Sequence, residues 1–138
     1  MPEEPEESLA EAFWAVTREL RHRSRDALAP WAVTPSQSRA LWILLRHGTM
    51  RLRDLAEHLR IAPRSATEVV DDLEARGLVE RGPDPEDRRA TLVHLTDQGR
   101  EIGAAVRAAR SADAEGFFGR LSDADRADLA RILRTLRR

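Results

Sequence analysis

The chain has 138 residues, a length that suits one domain and leaves little room for a second. It contains no cysteine, which excludes disulfides, thiolate metal sites and redox sensors that work through a thiol. The net charge of −1 gives no global sign of a nucleic-acid partner, but all 23 basic residues are arginines, so any basic site here is suited to planar, bidentate contacts.

Two helices are predicted in the first third of the chain. The first begins at Ser8 and ends before Pro30. Its apolar residues recur every three or four positions: Leu9, Phe13, Val16, Leu20 and Ala27. Segment 34–37 then combines an N-cap threonine, a proline for the first helical position and a capping-box glutamine. It therefore starts a second helix, which ends at Gly48.

The next segment predicts a helix-turn-helix. A compact third helix spans residues 52–59, and Pro63 opens a fourth helix only three residues later. The fourth helix ends at Gly77. Its inner face carries Ala66, Val69, Val70 and Leu73. Two short helices joined by so tight a turn are typical of this motif.

A two-stranded ribbon is predicted to follow. Residues 78–81 and 90–95 have strand character, and the residues between them, 82–89, are rich in turn formers and charge. A ribbon directly after a helix-turn-helix is a wing.

Two further helices complete the chain. Thr96 caps a long fifth helix that Gly116 and Gly119 are expected to interrupt, and Ser122 caps the last. The last helix has one apolar face: Leu129, Ile132, Leu133 and Leu136. The first and last helices thus carry apolar stripes that a thin winged module cannot cover alone.

Several stretches of this chain follow one family pattern. They are Leu55–Leu59, Thr67–Leu73, Glu74–Arg81, Pro83–Arg89 and Val93–Gly99. With an Asp-x-Arg near the wing tip and a Leu-Thr-x-x-Gly after the second strand, the chain resembles the MarR family of bacterial transcription regulators from about Ser8 to its end.

The resemblance implies the architecture and the assembly. The expected fold is mainly α with a small β wing, a winged helix-turn-helix with flanking dimerisation helices. Residues 1–138 would form a single domain, in which 34–96 are the winged helix-turn-helix and 8–30 and 97–138 the dimerisation helices. The expected partners are a second copy of the chain and a pseudo-palindromic operator in double-stranded DNA.

The start of the fourth helix is the candidate reader of the major groove, because a recognition helix presents its N-terminal residues to base edges. These residues are Pro63, Arg64, Ser65 and Thr67. Arg64 is suited to bidentate contact with guanine, and Ser65 and Thr67 to bases or phosphates. The alternatives are a solvated surface arginine and ordinary hydroxyl chemistry at a helix start.

The wing supplies the second candidate contact. By resemblance, Arg89 enters the minor groove, where the negative potential is enhanced, and Asp87 orients it through a hydrogen bond. Arg88 is expected to meet phosphate. The alternative is a loop ion pair that only shapes the wing tip. Other arginines are either phosphate clamps or ordinary surface: Arg51, Arg53, Arg76 and Arg81.

The outer face of the recognition helix is acidic, which departs from the family pattern. Glu68 and Asp72 stand where relatives often carry basic residues, and residues 34–100 hold eleven arginines and eleven carboxylates. Either the affinity for DNA is modest, or Glu68 accepts a hydrogen bond from a cytosine amino group. The same feature supports a second hypothesis, a winged-helix module that binds protein and has little affinity for DNA.

No other chemistry is indicated. The four histidines lie on different elements and do not form a metal motif, and no phosphate loop or nucleophile elbow occurs, so neither a metal, nor a cofactor, nor an enzyme is expected. The acidic N-terminus does not fit a secretory signal and no apolar run could cross a bilayer, which favours a cytoplasmic protein.

Three tryptophans indicate where a ligand would bind. By resemblance, small aromatic anions bind between the dimerisation helices and the winged module. Candidate lining residues are Trp14, Trp31 and Trp42, with Arg18 or Arg21 for a carboxylate or phenolate. The alternative for each tryptophan is a place in the core. The favoured function is a homodimeric repressor of its own or adjacent genes that such a ligand releases from DNA.

Overall fold

The computed structural model describes residues 5–138, which form six helices and one three-stranded sheet. In chain order the elements are α1 (Leu9–Leu28), α2 (Pro35–His47), β1 (Met50–Arg51), α3 (Leu52–Leu59), α4 (Pro63–Ala75), β2 (Val79–Asp84), β3 (Asp87–Leu95), α5 (Asp97–Phe118) and α6 (Asp123–Leu136). A short 3-10 turn, Ala29–Trp31, joins α1 to α2. This is the predicted winged helix-turn-helix with flanking helices. The N-terminal residues 1–4, part of the segment used to exclude a secretory signal, lie outside the described residues.

Hydroxyl side chains cap four of the helices. Thr34 Oγ1 accepts from the backbone N–H of Gln37 at 3.1 Å, and the Gln37 side chain accepts from the Thr34 N–H in return. Ser8, Thr96 and Ser122 make the same N-cap bond at the starts of α1, α5 and α6. The caps predicted at Thr34, Thr96 and Ser122 are therefore confirmed, because N-capping depends on residues adjacent in sequence.

The sheet is larger than predicted. Its order is β1-β3-β2 with antiparallel pairing throughout. Strand β1 was not predicted; it forms where Met50 pairs with Val93 of β3. The wing strands also run into the expected loop, since pairing continues as far as Asp84 and Asp87. The loop is thus only a two-residue turn at the wing tip, and the two strands hold the wing as a paired ribbon.

The main core lies between α2, α3, α4 and the sheet. Its residues include Leu41, Leu55, Leu73, Val79 and Val93, all with almost no exposure. Helices α3 and α4 and the base of the wing therefore share one core, which fixes their relative orientation. A smaller cluster of Leu28, Val33 and Val106 joins the end of α1 to α5.

Helix α5 is continuous through Gly116, so the interruption expected there was wrong. The helix ends at Phe118 and is capped by Gly119. Arg23 of α1 donates from Nε to Asp113 Oδ1 at 3.2 Å, and its guanidinium lies 5.3 Å from the centre of the Phe117 ring. This packing offsets the cost of a glycine inside a helix, about 1 kcal/mol.

Apolar side chains on α1 and α6 are left uncovered. Leu9 is 88% exposed and Leu136 is 72% exposed, and no residue of α6, which lies wholly within the described part of the chain, is buried.

Among residues 5–138 no helix combines the length and apolar character that a membrane span requires.

Candidate nucleic-acid interface

Helix α4 begins with its first turn open to solvent. Pro63, Arg64 and Ser65 are exposed, and Ala62 at the N-cap makes no side-chain hydrogen bond to the helix. The first N–H groups of α4 are therefore not capped by a side chain of its N-cap residue, and such groups bind anions well. Behind them Ala66, Val70 and Leu73 are buried in the main core. That anchoring holds the exposed turn in place.

Thr67 both bonds the backbone of α4 and lines the surface beside it. Its hydroxyl donates to the Pro63 carbonyl at 3.0 Å, as in the alternative considered above, but the residue is only half-buried and also lines a surface groove.

That groove brings together residues from the recognition helix and the wing. It has a volume of about 210 Å³. Its lining residues are Arg51, Leu52, Arg53, Pro63, Thr67, Arg89, Ala90 and Thr91. Five residues singled out from the sequence thus share one depression: Arg51, Arg53, Pro63, Thr67 and Arg89.

Four of the arginines singled out from the sequence for contact with DNA have no internal partner. Within residues 5–138, the guanidinium groups of Arg53, Arg64, Arg88 and Arg89 are exposed and make neither a hydrogen bond nor a salt bridge. An unpaired guanidinium can contact phosphate or a base edge without first losing a protein contact.

The Arg51 guanidinium, by contrast, is paired within the protein. Its Nε lies 2.7 Å from Oδ2 of Asp84, a buried carboxylate at the end of β2. Asp84 Oδ1 also accepts from the N–H of Glu86 at 2.9 Å. That backbone N–H first, and Arg51 after it, hold the pKa of Asp84 below its usual value, while the carboxylate raises the pKa of Arg51. This ion pair ties the end of the wing to the start of α3.

Arg76 is also occupied, away from the groove. Its guanidinium donates to the carbonyl oxygens of Trp31 and Ala32 in the α1–α2 connection. Ala32 has a left-handed backbone with φ of 52°. Arg76 therefore joins the end of the recognition helix to the start of the winged module, a role that the sequence interpretation, which left it as a phosphate clamp or ordinary surface, did not include.

Arg81 is the most heavily bonded arginine at the interface. It pairs with Asp71 and with Glu74 Oε1 at 2.9 Å, and it donates to the Thr67 carbonyl at 3.3 Å. Two of the acids that make α4 look unsuited to DNA are therefore engaged inside the protein. Glu68 and Asp72 are exposed.

Asp87 acts on the backbone of the wing tip. Its Oδ1 accepts from the N–H of Arg89 at 2.9 Å, and no bond joins it to the Arg89 guanidinium within the described residues. The sequence interpretation expected Asp87 to bond the Arg89 side chain, whereas the contact made is the backbone one that an aspartate commonly forms with the N–H two residues on.

The Leu-Thr-x-x-Gly motif closes the base of the wing. Thr96 Oγ1 donates to the Gly77 carbonyl at 2.6 Å and accepts from the Gly99 N–H at 3.0 Å. A Cβ on Gly99 would lie 1.8 Å from the Leu78 carbonyl oxygen. The sequence marked this motif as a family feature but gave no sign of the close approach between α5 and Leu78.

The candidate ligand residues do not surround one cavity. Trp14 is 55% exposed on α1, and Trp31 packs half-buried against the cluster of Leu28, Val33 and Val106. Trp42 borders a cavity of about 290 Å³ between α2 and α5, with Ser38, Gly103, Arg107, Arg110, Ser111 and Ala114. Trp14, Trp31 and the exposed α1 residues Arg18 and Arg21 are not in its lining.

That cavity has arginines which the sequence interpretation did not include. The Arg107 guanidinium lies 3.6 Å from the centre of the Trp42 ring, and Arg110 Nη1 donates to Ser38 Oγ at 3.3 Å. Their spacing on α5 gave no signal, because it takes the packing of α5 on α2 to bring them to Trp42.

Known proteins resemble this chain in sequence and in fold. The sequence model of the MarR family matches residues 33–91. An uncharacterised HTH-type transcriptional regulator of Mycobacterium bovis is 35% identical over 120 residues, which are 87% of this chain and 79% of that protein. One of Bacillus subtilis is 32% identical over 83 residues, 60% of this chain and only 57% of that protein's length.

Among solved structures, the transcriptional repressor CouR bound to a 23-mer DNA duplex superimposes with a TM-score of 0.86 at 27% identity. The match covers 96% of this chain and 94% of that one.

Proposed function

The chain belongs to the MarR family of transcriptional regulators, and from that premise we propose that it is a homodimeric repressor which binds a pseudo-palindromic operator in double-stranded DNA. Residues 34–96 contact DNA, and residues 8–30 and 97–138 hold the two copies together.

The observation that carries the DNA site is the set of unpaired arginines beside the groove between α4 and the wing. Arg64 stands at the exposed start of α4, where a recognition helix meets base edges in the major groove. Arg89 on the wing is suited to a narrow minor groove. Arg53 and Arg88 contact phosphates, together with the uncapped N–H groups of α4.

The paired acids weaken the alternative of a protein-binding module. That hypothesis depended on an acidic recognition helix, but Asp71 and Glu74 are bonded to Arg81 and do not form a free acidic surface. The structurally similar protein CouR is a transcriptional repressor, which supports repression over activation as the role of this chain.

A second copy of the chain is the occupant that fits the uncovered apolar surface. A groove of about 480 Å³ between α1 and the α5–α6 region is lined largely by apolar side chains. Charges at the ends are complementary: Glu6, Glu7 and Glu11 precede or begin α1, while Arg134, Arg137 and Arg138 end the chain. A two-fold axis that pairs α1 with α6 of the other copy sets the recognition helices about one DNA turn apart.

The test uses fluorescence anisotropy with duplexes tiled across the intergenic region beside the gene. We expect one palindromic segment to bind far more tightly than a shuffled duplex of the same composition. A reporter driven by that promoter should be expressed less when the protein is present. Equal affinity for all duplexes at several salt concentrations would refute a specific operator, and a rise in expression would refute repression.

We further propose that a small aromatic anion releases the protein from DNA by binding beside Trp42. The cavity there has an aromatic wall and two guanidinium groups, which suit a carboxylate or phenolate. It also lies between α2 of the winged module and α5 of the dimerisation helices. A ligand that contacts both parts can favour one of their relative orientations.

Tryptophan fluorescence tests this second proposal. In a chain with Trp14→Phe and Trp31→Phe, only Trp42 reports, and salicylate should quench it in a saturable way. Operator DNA should weaken salicylate binding by about tenfold to a hundredfold, because coupling between two sites is reciprocal. Quenching with an affinity that operator does not change would mean a pocket without a switch.

A further inference from the structure

Arg81 connects the wing to the recognition helix through both terminal nitrogens of its guanidinium. Nη1 donates to Glu74 Oε1 at 2.9 Å, while Nη2 contacts Asp71 and the Thr67 carbonyl. The backbone N–H of Arg81 also donates to Glu74 Oε2 at 2.9 Å. Only 24% of the side chain is exposed, and the pKa of this guanidinium is raised by the two carboxylates against the effect of burial.

We propose that Arg81 is a positioning residue for DNA binding, which fixes the wing relative to α4 so that Arg64 and Arg89 engage their grooves in one binding event. This inference rests on the proposed operator binding. It also gives the acidic residues of the recognition helix a role, because Asp71 and Glu74 are the acceptors that hold Arg81.

The position of this bond explains why it would matter. Arg81 lies in β2 and pairs with Val93 of β3, the strand that carries Arg89. Thr67 and Asp71 lie one and two turns along α4 from Arg64. The bond therefore joins α4, which carries Arg64, to β2, which pairs with the strand that carries Arg89. The Arg51–Asp84 pair restrains the opposite end of β2, but it reaches β1 and α3 rather than the recognition helix.

A fixed separation increases the contribution of the second contact. When the first groove is occupied, a wing already held at the right distance meets the second groove at a high effective concentration. A wing that moves relative to α4 must lose that freedom on binding, and the cost reduces the benefit of Arg89. Arg81 would thus act on affinity without touching DNA.

A double-mutant cycle tests this role. In the native background, Arg89→Ala should weaken operator binding by about tenfold. In an Arg81→Gln background, the same change should weaken it by less than about twofold, because the loosened wing no longer contributes fully. Preference for A·T pairs under the wing should fall in Arg81→Gln, while the base preference that depends on Arg64 should remain.

The salt dependence separates positioning from direct contact. In an Arg88→Ala/Arg89→Ala background, where the wing contacts are already removed, Arg81→Gln should leave the slope of log affinity against log salt unchanged, whereas loss of a phosphate contact made by Arg81 itself would lower its magnitude by about 1. Arg100→Gln is the matched control: its guanidinium pairs with Asp97 at 2.8 Å and donates to the Leu95 carbonyl at the end of β3 at 3.2 Å, but neither contact reaches α4. It should leave the effect of Arg89→Ala at its native value.

Folding is checked by circular dichroism and urea unfolding of each variant. If Arg81→Gln does not fold, Asp71→Asn removes one acceptor and should give a smaller change of the same kind. An equal cost of Arg89→Ala in both backgrounds, or a reduced salt slope when Arg81→Gln is added to Arg88→Ala/Arg89→Ala, would overturn the positioning role alone. Native affinity in both Arg64→Ala and Arg89→Ala would instead overturn the proposed DNA site itself.

Discussion

At the scale of single residues, the arginines around the recognition helix and the wing divide by what their guanidinium groups already contact. Arg51, Arg76 and Arg81 are bonded within the protein, and Arg53, Arg64, Arg88 and Arg89 are not. In a chain without lysine, this division is what separates arginines that build the winged module from those available to DNA.

Arg64→Ala and Arg89→Ala should weaken operator binding by different routes. Arg64→Ala is expected to cost about 1–3 kcal/mol per half-site and to relax the base preference at one position. The affinity lost in Arg89→Ala should be largest on operators with A·T pairs under the wing, where the minor groove is narrow. Arg88→Ala should mainly reduce the salt slope. Anisotropy titrations on operators substituted base by base distinguish the three, and unchanged affinity in the first two would place the site elsewhere.

Gly99→Ala should destabilise the fold strongly. The added Cβ would sit 1.8 Å from the Leu78 carbonyl oxygen, so α5 must move away from the base of the wing. The free energy of unfolding should fall by about 3 kcal/mol. Gly82→Ala is the control, since nothing lies within 4 Å of its Cβ, and it should stay near the native value in urea unfolding. Equal unfolding midpoints for the two variants would contradict the close approach.

At the scale of elements, Arg76 should behave as a link between α4 and the α1–α2 connection. Arg76→Ala removes the hydrogen bonds to Trp31 and Ala32 and should lower the free energy of unfolding by about 1 kcal/mol, since the group is exposed. It should leave the salt slope of operator binding unchanged. Arg53→Ala, which has no internal bond to lose, should instead keep the stability and reduce the slope by about 0.9. A reduced slope in Arg76→Ala would restore the phosphate contact suggested by the sequence.

The wing should lose stability in acid through Asp84. Its pKa is lower in the folded protein than the unfolded value of about 3.9, so its contribution is complete above that pH and disappears as the pH falls through the folded value. Asp84→Asn should therefore flatten the fall in urea midpoint below about pH 4. Glu86→Gln, on the exposed turn beside it, should keep the native profile. A native acid profile in Asp84→Asn would show that the pair with Arg51 does not stabilise the wing.

Sequence predicted those elements whose signals are local. Thr34, Thr96 and Ser122 mark helix starts through bonds to residues three positions away. Strand β1 has no such signal, because two residues show no periodicity and become a strand only when Met50 meets Val93. The interruption predicted at Gly116 was wrong because the packing that keeps α5 intact comes from α1, which is distant in sequence.

The candidate site shows the same limit. Its location at the start of α4 and at the wing tip follows from residue type and order. Which arginines are free does not, because the partners of Arg51 and Arg76 lie 33 and 44 or 45 residues away in the chain. The arginines beside Trp42 were missed because α2 and α5 are far apart in sequence.

At the scale of the whole molecule, dimerisation should depend on the uncovered apolar face. Ile132, 45% exposed on α6, is expected to lie between the two copies. Ile132→Asp should shift the protein from dimer to monomer in light scattering and weaken operator binding, because a single half-site remains. Ala127→Asp adds the same charge on the opposite side of α6 and should remain dimeric. A native chain of 15.6 kDa in solution at micromolar concentration would contradict the assembly.

The order of the sheet also bears on how the protein avoids aggregation through its strand edges. Central β3 pairs with β2 along the wing but with β1 only at Leu92 and Val93, so the edges are β1, β2 and residues 87–91 of β3, a stretch that begins with the charged Asp87, Arg88 and Arg89. An open edge is a template on which strands of other molecules can add and start fibrils. Here β1 is only two residues long, and β2 carries Pro83, which has no N–H to offer an incoming strand. The wing can thus project from the body to reach DNA without offering a continuous edge for aggregation.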